Sequence, residues 1–134
     1  MKTQTKNPRK SFGREKITSP QRNFDEILLE AVDEALDALG VSVRKSLYFH
    51  LETNFSIKKE TICKNPSVFS EGLRKIFGPG AKFIEKIIVE FLCKKTGYEL
   101  NSNWQKCFFA ENIQKIKEHF IRQKNQKILK EINN

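Results

Sequence analysis

"IFGPGAKF", residues 76–83, sets two glycines on either side of a proline in a chain rich in Lys, Ile, Phe and Glu. Two readings compete, and they lead to different folds. A backbone loop for a phosphate needs amide groups at a helix N-terminus, with Lys82 adding charge. A corner between two helices needs only apolar residues at helical spacing on both sides. The phosphate-loop spacing G-x-x-x-x-G-K-[ST] is absent, and no strand precedes the stretch. Upstream, Val68, Phe69, Gly72, Leu73, Ile76 and Phe77 form one helical face; downstream, Phe83, Ile84, Ile87, Ile88, Phe91 and Leu92 form another, up to Gly97. A β reading of "KIIVEFL" gives way to the helical period. The stretch is therefore a helix corner, with Gly78 as a C-cap of positive φ and Pro79 opening the next helix.

Working outward, the pattern repeats. Phe24, Ile27, Leu28, Ala31, Val32, Ala35, Leu36 and Leu39 follow the i, i+3, i+4, i+7 rule without a miss. Asn23 and Glu26 make a capping-box start, and Gly40 supplies a left-handed stop. Ser42 can cap a second helix carrying Val43, Leu47, Leu51 and Phe55. The link between the two is so short that they must be antiparallel neighbours. "SIKKETICK" reads as a turn or short helical piece, and Asn65–Pro66 as a cap followed by a first-turn proline. Gly72 lies on an apolar face, where it permits close helix approach. After the link "YELNSNW", a last helix is expected from about Trp104 to Ile132. Cys107, Phe108, Ile113, Ile116 and Phe120 form its apolar side, and its second half is polar and basic.

The chain has 134 residues and a net charge of +9. That length is one domain's worth, and no apolar stretch approaches the roughly 18 residues of a membrane span. Three cysteines without paired spacing and no secretory signal point to a cytoplasmic setting. The charge is uneven. Residues 1–22 carry seven bases and one acid, residues 23–40 six acids and no base, and both later segments are net basic. Residues 1–22 hold two prolines and no apolar period, so they read as a disordered basic arm. The six acids of the first helix alternate with its apolar face and read as a solvated surface.

Chemistry-bearing constellations are sparse. Cys63, Cys93, Cys107 and His50 lack the close spacing of a zinc site, so no metal is expected. His50 reads as a hydrogen-bonded histidine at the rim of the core. No nucleophile–base arrangement can be assembled, so neither an enzyme nor a cofactor is expected. The functional signal is basic: Lys6, Arg9, Lys10, Arg14, Lys16 and Arg22 in the arm, and Lys115, Lys117, Arg122, Lys124, Lys127 and Lys130 in the last helix. Such clusters release counterions from a phosphate backbone and bind it without reading bases. Trp104, Phe108 and Phe109 read as core rather than as stacking platforms, and no helix-turn-helix is evident.

"LLEAVDEALDALG", "YFHLETNFSIKKETI" and "LRKIFGPGAKFIEKIIVEFL" together resemble the archaeal nitrososphaeral output domain family, fifth type, over about residues 24–97. The resemblance implies a small helical signalling domain, found after receiver domains and in stand-alone proteins. It brings no catalytic residues. This chain shows neither a receiver domain nor a phospho-acceptor Asp at a strand end.

The expectation is thus all-α: four core helices in residues 23–97 and a long helical extension in residues 98–134, preceded by the basic arm. The expected function is a non-enzymatic regulatory or adaptor domain of archaeal signalling, acting through a protein or nucleic-acid partner. A homo-oligomer is compatible with this, and a membrane partner is not expected. The alternative is a basic protein gripping nucleic-acid phosphates with its arm and last helix.

Overall fold

Residues 22–133 are described by the computed structural model, and among them there is helix and turn but no strand. The order is α1 (Phe24–Leu39), α2 (Val41–Phe55), the single turn α3 (Thr61–Lys64), α4 (Pro66–Phe77), α5 (Ala81–Thr96) and the long α6 (Phe109–Asn133). Helices α1, α2, α4 and α5 form the core bundle, and α6 lies against α4 and α5. The sequence arm, except for Arg22, falls outside the described residues. No helix among the described residues is long and apolar enough to cross a membrane.

α1 forms as its pattern dictates. Asn23 Oδ1 accepts from the Glu26 amide at 2.9 Å, and Glu26 Oε1 accepts from the Asn23 amide at 3.1 Å. These two bonds satisfy amides that a helix start otherwise leaves orphaned. Seven side chains of its apolar stripe, Phe24 to Leu36, are buried. Each large one contributes roughly 1.5–3 kcal/mol by leaving water.

The α1–α2 link is tighter than the spacing suggests. Gly40 has φ 138° and ψ 138°, outside the left-handed helical region expected for it. It serves as the end of α1 and the start of α2, and its carbonyl accepts from the amides of Val43 and Arg44. Ser42 is therefore inside α2, not its cap, and no side chain caps that helix. The two helices are antiparallel: Arg44 pairs with Asp37, and Tyr48, one turn further on, pairs with Asp33, one turn back.

At the decisive corner, α4 ends at Phe77, and a 3-10 turn over Gly78–Gly80 leads directly into α5. Gly78 has φ 57° and ψ −132°, a conformation penalised for any residue with a Cβ. The Asn65 side chain accepts from the Val68 amide, with Pro66 in the first turn. Gly72 faces α2 and the loop after it so closely that a Cβ there would lie 2.7 Å from Ile57 Cδ1 and 2.8 Å from Leu51 Cδ2. α5 ends at Gly97, which is left-handed with φ 75°.

The last helix starts later than its composition suggests. Trp104–Lys106 is a 3-10 turn, Cys107 is extended with ψ 152°, and α6 begins at Phe109. The break decides which of two adjacent phenylalanines is inside. Phe109 is buried against Phe69, whereas Phe108 is 80 % exposed. Phe83, placed on the apolar face of α5 by its spacing, is likewise 58 % exposed. Trp104 is half-buried, and its carbonyl accepts from the side chain of buried Asn112 at 3.1 Å. Ile113 and Ile116 join the common core, and Phe120 reaches Phe24 at 5.9 Å between ring centroids. Beyond Phe120 the helix continues with its apolar side chains Ile121, Ile128, Leu129 and Ile132 exposed.

Candidate nucleic-acid interface

The acidic face of α1 lies on the surface, with Asp25, Glu26, Glu34 and Asp37 exposed and Glu30 and Asp33 half-buried, and it is ion-paired as well. Asp33 takes Lys59 at 2.8 Å and Arg44 at 3.7 Å, and Asp37 takes Arg44 at 3.1 Å. Lys95, near the end of α5, bridges Glu30 at 2.7 Å and Glu34 at 2.8 Å, and Arg22 reaches Glu30 at 2.9 Å. Cations from α2, the α2–α3 loop and α5 thus neutralise four of the six acids. The Lys95 hydrogen bond holds the Glu30 carboxyl below its ordinary value, against partial burial that pushes it up; Arg22 adds to the lowering. Burial pulls the Lys95 ammonium down, but its two carboxylate partners outweigh that and raise it.

This bridge forms the floor of a groove. Arg22, Ile27, Glu30, Lys95, Thr96, Phe120 and the α6 residues Gln123, Lys124, Gln126, Lys127 and Lys130 line a volume of about 710 Å³. Lys124, Lys127 and Lys130 recur every third residue, so they share one side of the helix. That side continues the face which carries Ile113, Ile116 and Phe120 into the core. α6 therefore changes from an apolar to a cationic contact face where it outruns the bundle. Five cations meet one carboxylate, Glu30, among the described lining residues. Along one cleft the fields of the cations add, which favours a multivalent anion.

The fold brings together Arg22, Lys124, Lys127 and Lys130 of the residues singled out from the sequence. It does not bring in Lys115, Lys117 or Arg122. Lys115 instead points its ammonium at Cys107 Sγ, 3.5 Å away. Lys6, Arg9, Lys10, Arg14 and Lys16 lie outside the described residues. Lys95 was missed, because a lysine in the last turn of a helix is ordinary and nothing local indicates that it meets α1.

His50 and the three cysteines do not converge. His50 is exposed rather than at the core rim, 3.4 Å from the Asn54 side chain. Burial pushes the Cys63 and Cys93 thiols up to about 11, so both stay protonated at neutral pH. All three cysteines are unpaired. Among the described residues no three His, Cys, Asp or Glu side chains gather as metal ligands.

No family model matches the chain, and a search of curated proteins finds no match. Among solved structures, the chain is similar to PH0832 from Pyrococcus horikoshii OT3, with a TM-score of 0.61 and 25 % identity, covering 72 % of this chain and 96 % of that one.

Proposed function

We propose that this chain is a non-enzymatic binding protein that holds nucleic acid by its phosphates in the groove between α1, α5 and α6. The observation that supports it is the meeting of Arg22, Lys95, Lys124, Lys127 and Lys130, drawn from three parts of the chain, around one cleft. Lysines placed for solubility have no reason to converge. Binding of this kind is independent of base sequence and strongly salt-dependent. The test is duplex DNA binding across a salt series starting near 50 mM. Replacing Lys124, Lys127 and Lys130 with Ala should weaken binding to all sequences alike and flatten the log K–log salt slope by roughly 3. An unchanged slope would refute the groove as the site.

A second reading is a regulatory or adaptor domain of archaeal signalling, in a cytoplasmic setting, acting through a protein partner. It is favoured by the resemblance to the nitrososphaeral output domains and by the exposed Ile121, Ile128 and Ile132, which share one side of α6. Such a stripe suits docking of a helix in a groove or against a second copy. Partner capture abolished by Ile128→Asp, with duplex binding intact, would select this reading.

A further inference from the structure

A second cleft, of about 530 Å³, lies between α4, the first half of α5 and the turn before α6. It uses the opposite end of α5 from the groove. Phe108 and Phe83 line it and stand out into solvent, and Trp104 lies beside them, half-buried. Arg74, Lys82, Lys86 and Lys106 line the same cleft. None of the four forms an ion pair among the described residues, unlike the bases that meet α1. Glu85 is the carboxylate of this cleft among the described residues, and it is engaged by the Ser70 hydroxyl. Arg74 donates to the same hydroxyl oxygen at 3.0 Å, which keeps its guanidinium at the cleft.

Exposed rings that share a cleft with cations outside any ion pair among the described residues attract a ligand that offers both flat aromatic faces and repeated negative charge. Each ring has a π-face for a base, and each cation a phosphate. A duplex does not fit this chemistry, because its base faces are stacked inside. We propose that this cleft binds an unpaired nucleic-acid strand, with Phe108 and Phe83 stacking on bases and Arg74, Lys82, Lys86 and Lys106 holding phosphates. The proposal rests on the nucleic-acid reading above and deepens it by naming the form of the ligand, yet it uses a separate set of residues.

Trp104 is the sole tryptophan of the chain and reports on this cleft directly. The experiment titrates the full chain near 50 mM salt with a thymidine oligonucleotide of about twelve residues, a duplex of equal length, and phosphatidylglycerol vesicles, following Trp104 fluorescence. The single strand should quench it, and the duplex and vesicles should not. Phe83→Ala with Phe108→Ala should weaken single-strand binding about tenfold or more without changing the salt slope. Lys82→Ala with Lys86→Ala should weaken it and flatten the slope by roughly 1.4. Both rings are exposed, so their removal leaves the core packed, and an unchanged melting curve verifies this. Single-strand affinity unaltered by the two phenylalanine changes would overturn the proposal, as would equal quenching by duplex or vesicles. Failure of the groove reads differently: duplex affinity then ignores Lys124, Lys127 and Lys130, while single-strand quenching persists.

Discussion

The Tyr48 hydroxyl donates to Asp33 Oδ1 at 2.6 Å, across the α1–α2 interface and onto the same carboxylate that holds Lys59. A hydrogen bond to a charged partner contributes about 1.5–3 kcal/mol, so Tyr48→Phe should lower stability by an amount in that range. Burial, then the bond to Asp33, pushes the Tyr48 phenol far above its ordinary value of 10.0. The folded state therefore keeps a proton that the unfolded chain loses. The stability this provides is present below pH 10 and is lost as pH rises toward the folded value. Urea midpoints between pH 7 and 11 should fall less steeply above pH 10 in Tyr48→Phe than in the parent; parallel curves would contradict the linkage.

Glu30 behaves in the opposite sense. Its folded value lies below the ordinary 4.5, so the unfolded chain binds its proton more tightly. Its contribution is present above pH 4.5 and lost as pH falls through the lowered folded value. Glu30→Gln should flatten the acid limb of a stability–pH curve. The same change removes the groove carboxylate and releases Arg22, while Lys95 keeps Glu34 as its partner. Duplex affinity should then rise, about fivefold for one surface charge near a phosphate. A fall in affinity would show that Glu30 organises the cations rather than competing for them.

Gly78 and Gly80 flank one proline but are under different constraints. Neither faces a tight neighbour, since a Cβ at Gly78 meets nothing within 4 Å and one at Gly80 only Phe77 Cβ at 3.8 Å. Gly78 has φ 57°, whereas Gly80 has φ −65°. Gly78→Ala should therefore cost about 1–2 kcal/mol from backbone strain alone. Gly80→Ala should be neutral or stabilise by about 0.4–1 kcal/mol through the unfolded chain. Denaturant titration of the pair distinguishes strain from packing, and equal losses at both sites would exclude strain as the cause.

At Gly72 two effects oppose each other. Ala is favoured over Gly in a helix interior by about 1 kcal/mol. The added Cβ, however, would press the buried tips of Leu51 and Ile57 at under 3 Å. Overpacking costs typically about 1–3 kcal/mol, so Gly72→Ala should be net destabilising by about 1 kcal/mol, and Gly72→Val by more. A stabilised Gly72→Ala would mean that the two tips can turn aside.

α6 has two halves with separable roles. A chain ending at Phe120 keeps Phe109, Ile113, Ile116 and the Phe24–Phe120 contact. It should melt within a few degrees of the full chain while losing Lys124, Lys127 and Lys130, and with them most of the groove's affinity. Removing residues 104–134 instead uncovers the core around Phe69 and Phe24 and should cause aggregation. Size-exclusion chromatography of the two truncations checks this division.

Local signals were enough for the all-helical architecture. The unbroken stripe of α1, the Asn23–Glu26 box, Asn65–Pro66, the Gly78 corner and the Gly97 stop act within a few residues, through backbone hydrogen bonds and Cβ sterics. Gly72 was readable as a close approach because a glycine on an apolar face has few other uses. The sequence also located the basic residues, but not where they point. Whether Phe108 or Phe109 enters the core depends on the extended backbone at Cys107, which delays the start of α6 to Phe109. The fate of the α1 acids depended on distant partners: Lys95 lies 65 residues from Glu30 in the chain and 2.7 Å from it in space. Coulombic pairing follows distance in space, and no local pattern encodes it. Tertiary packing alone therefore decided that four of the six acids of α1 are ion-paired, that Lys124, Lys127 and Lys130 share one groove with Arg22 and Lys95, and that Phe83 and Phe108 remain outside.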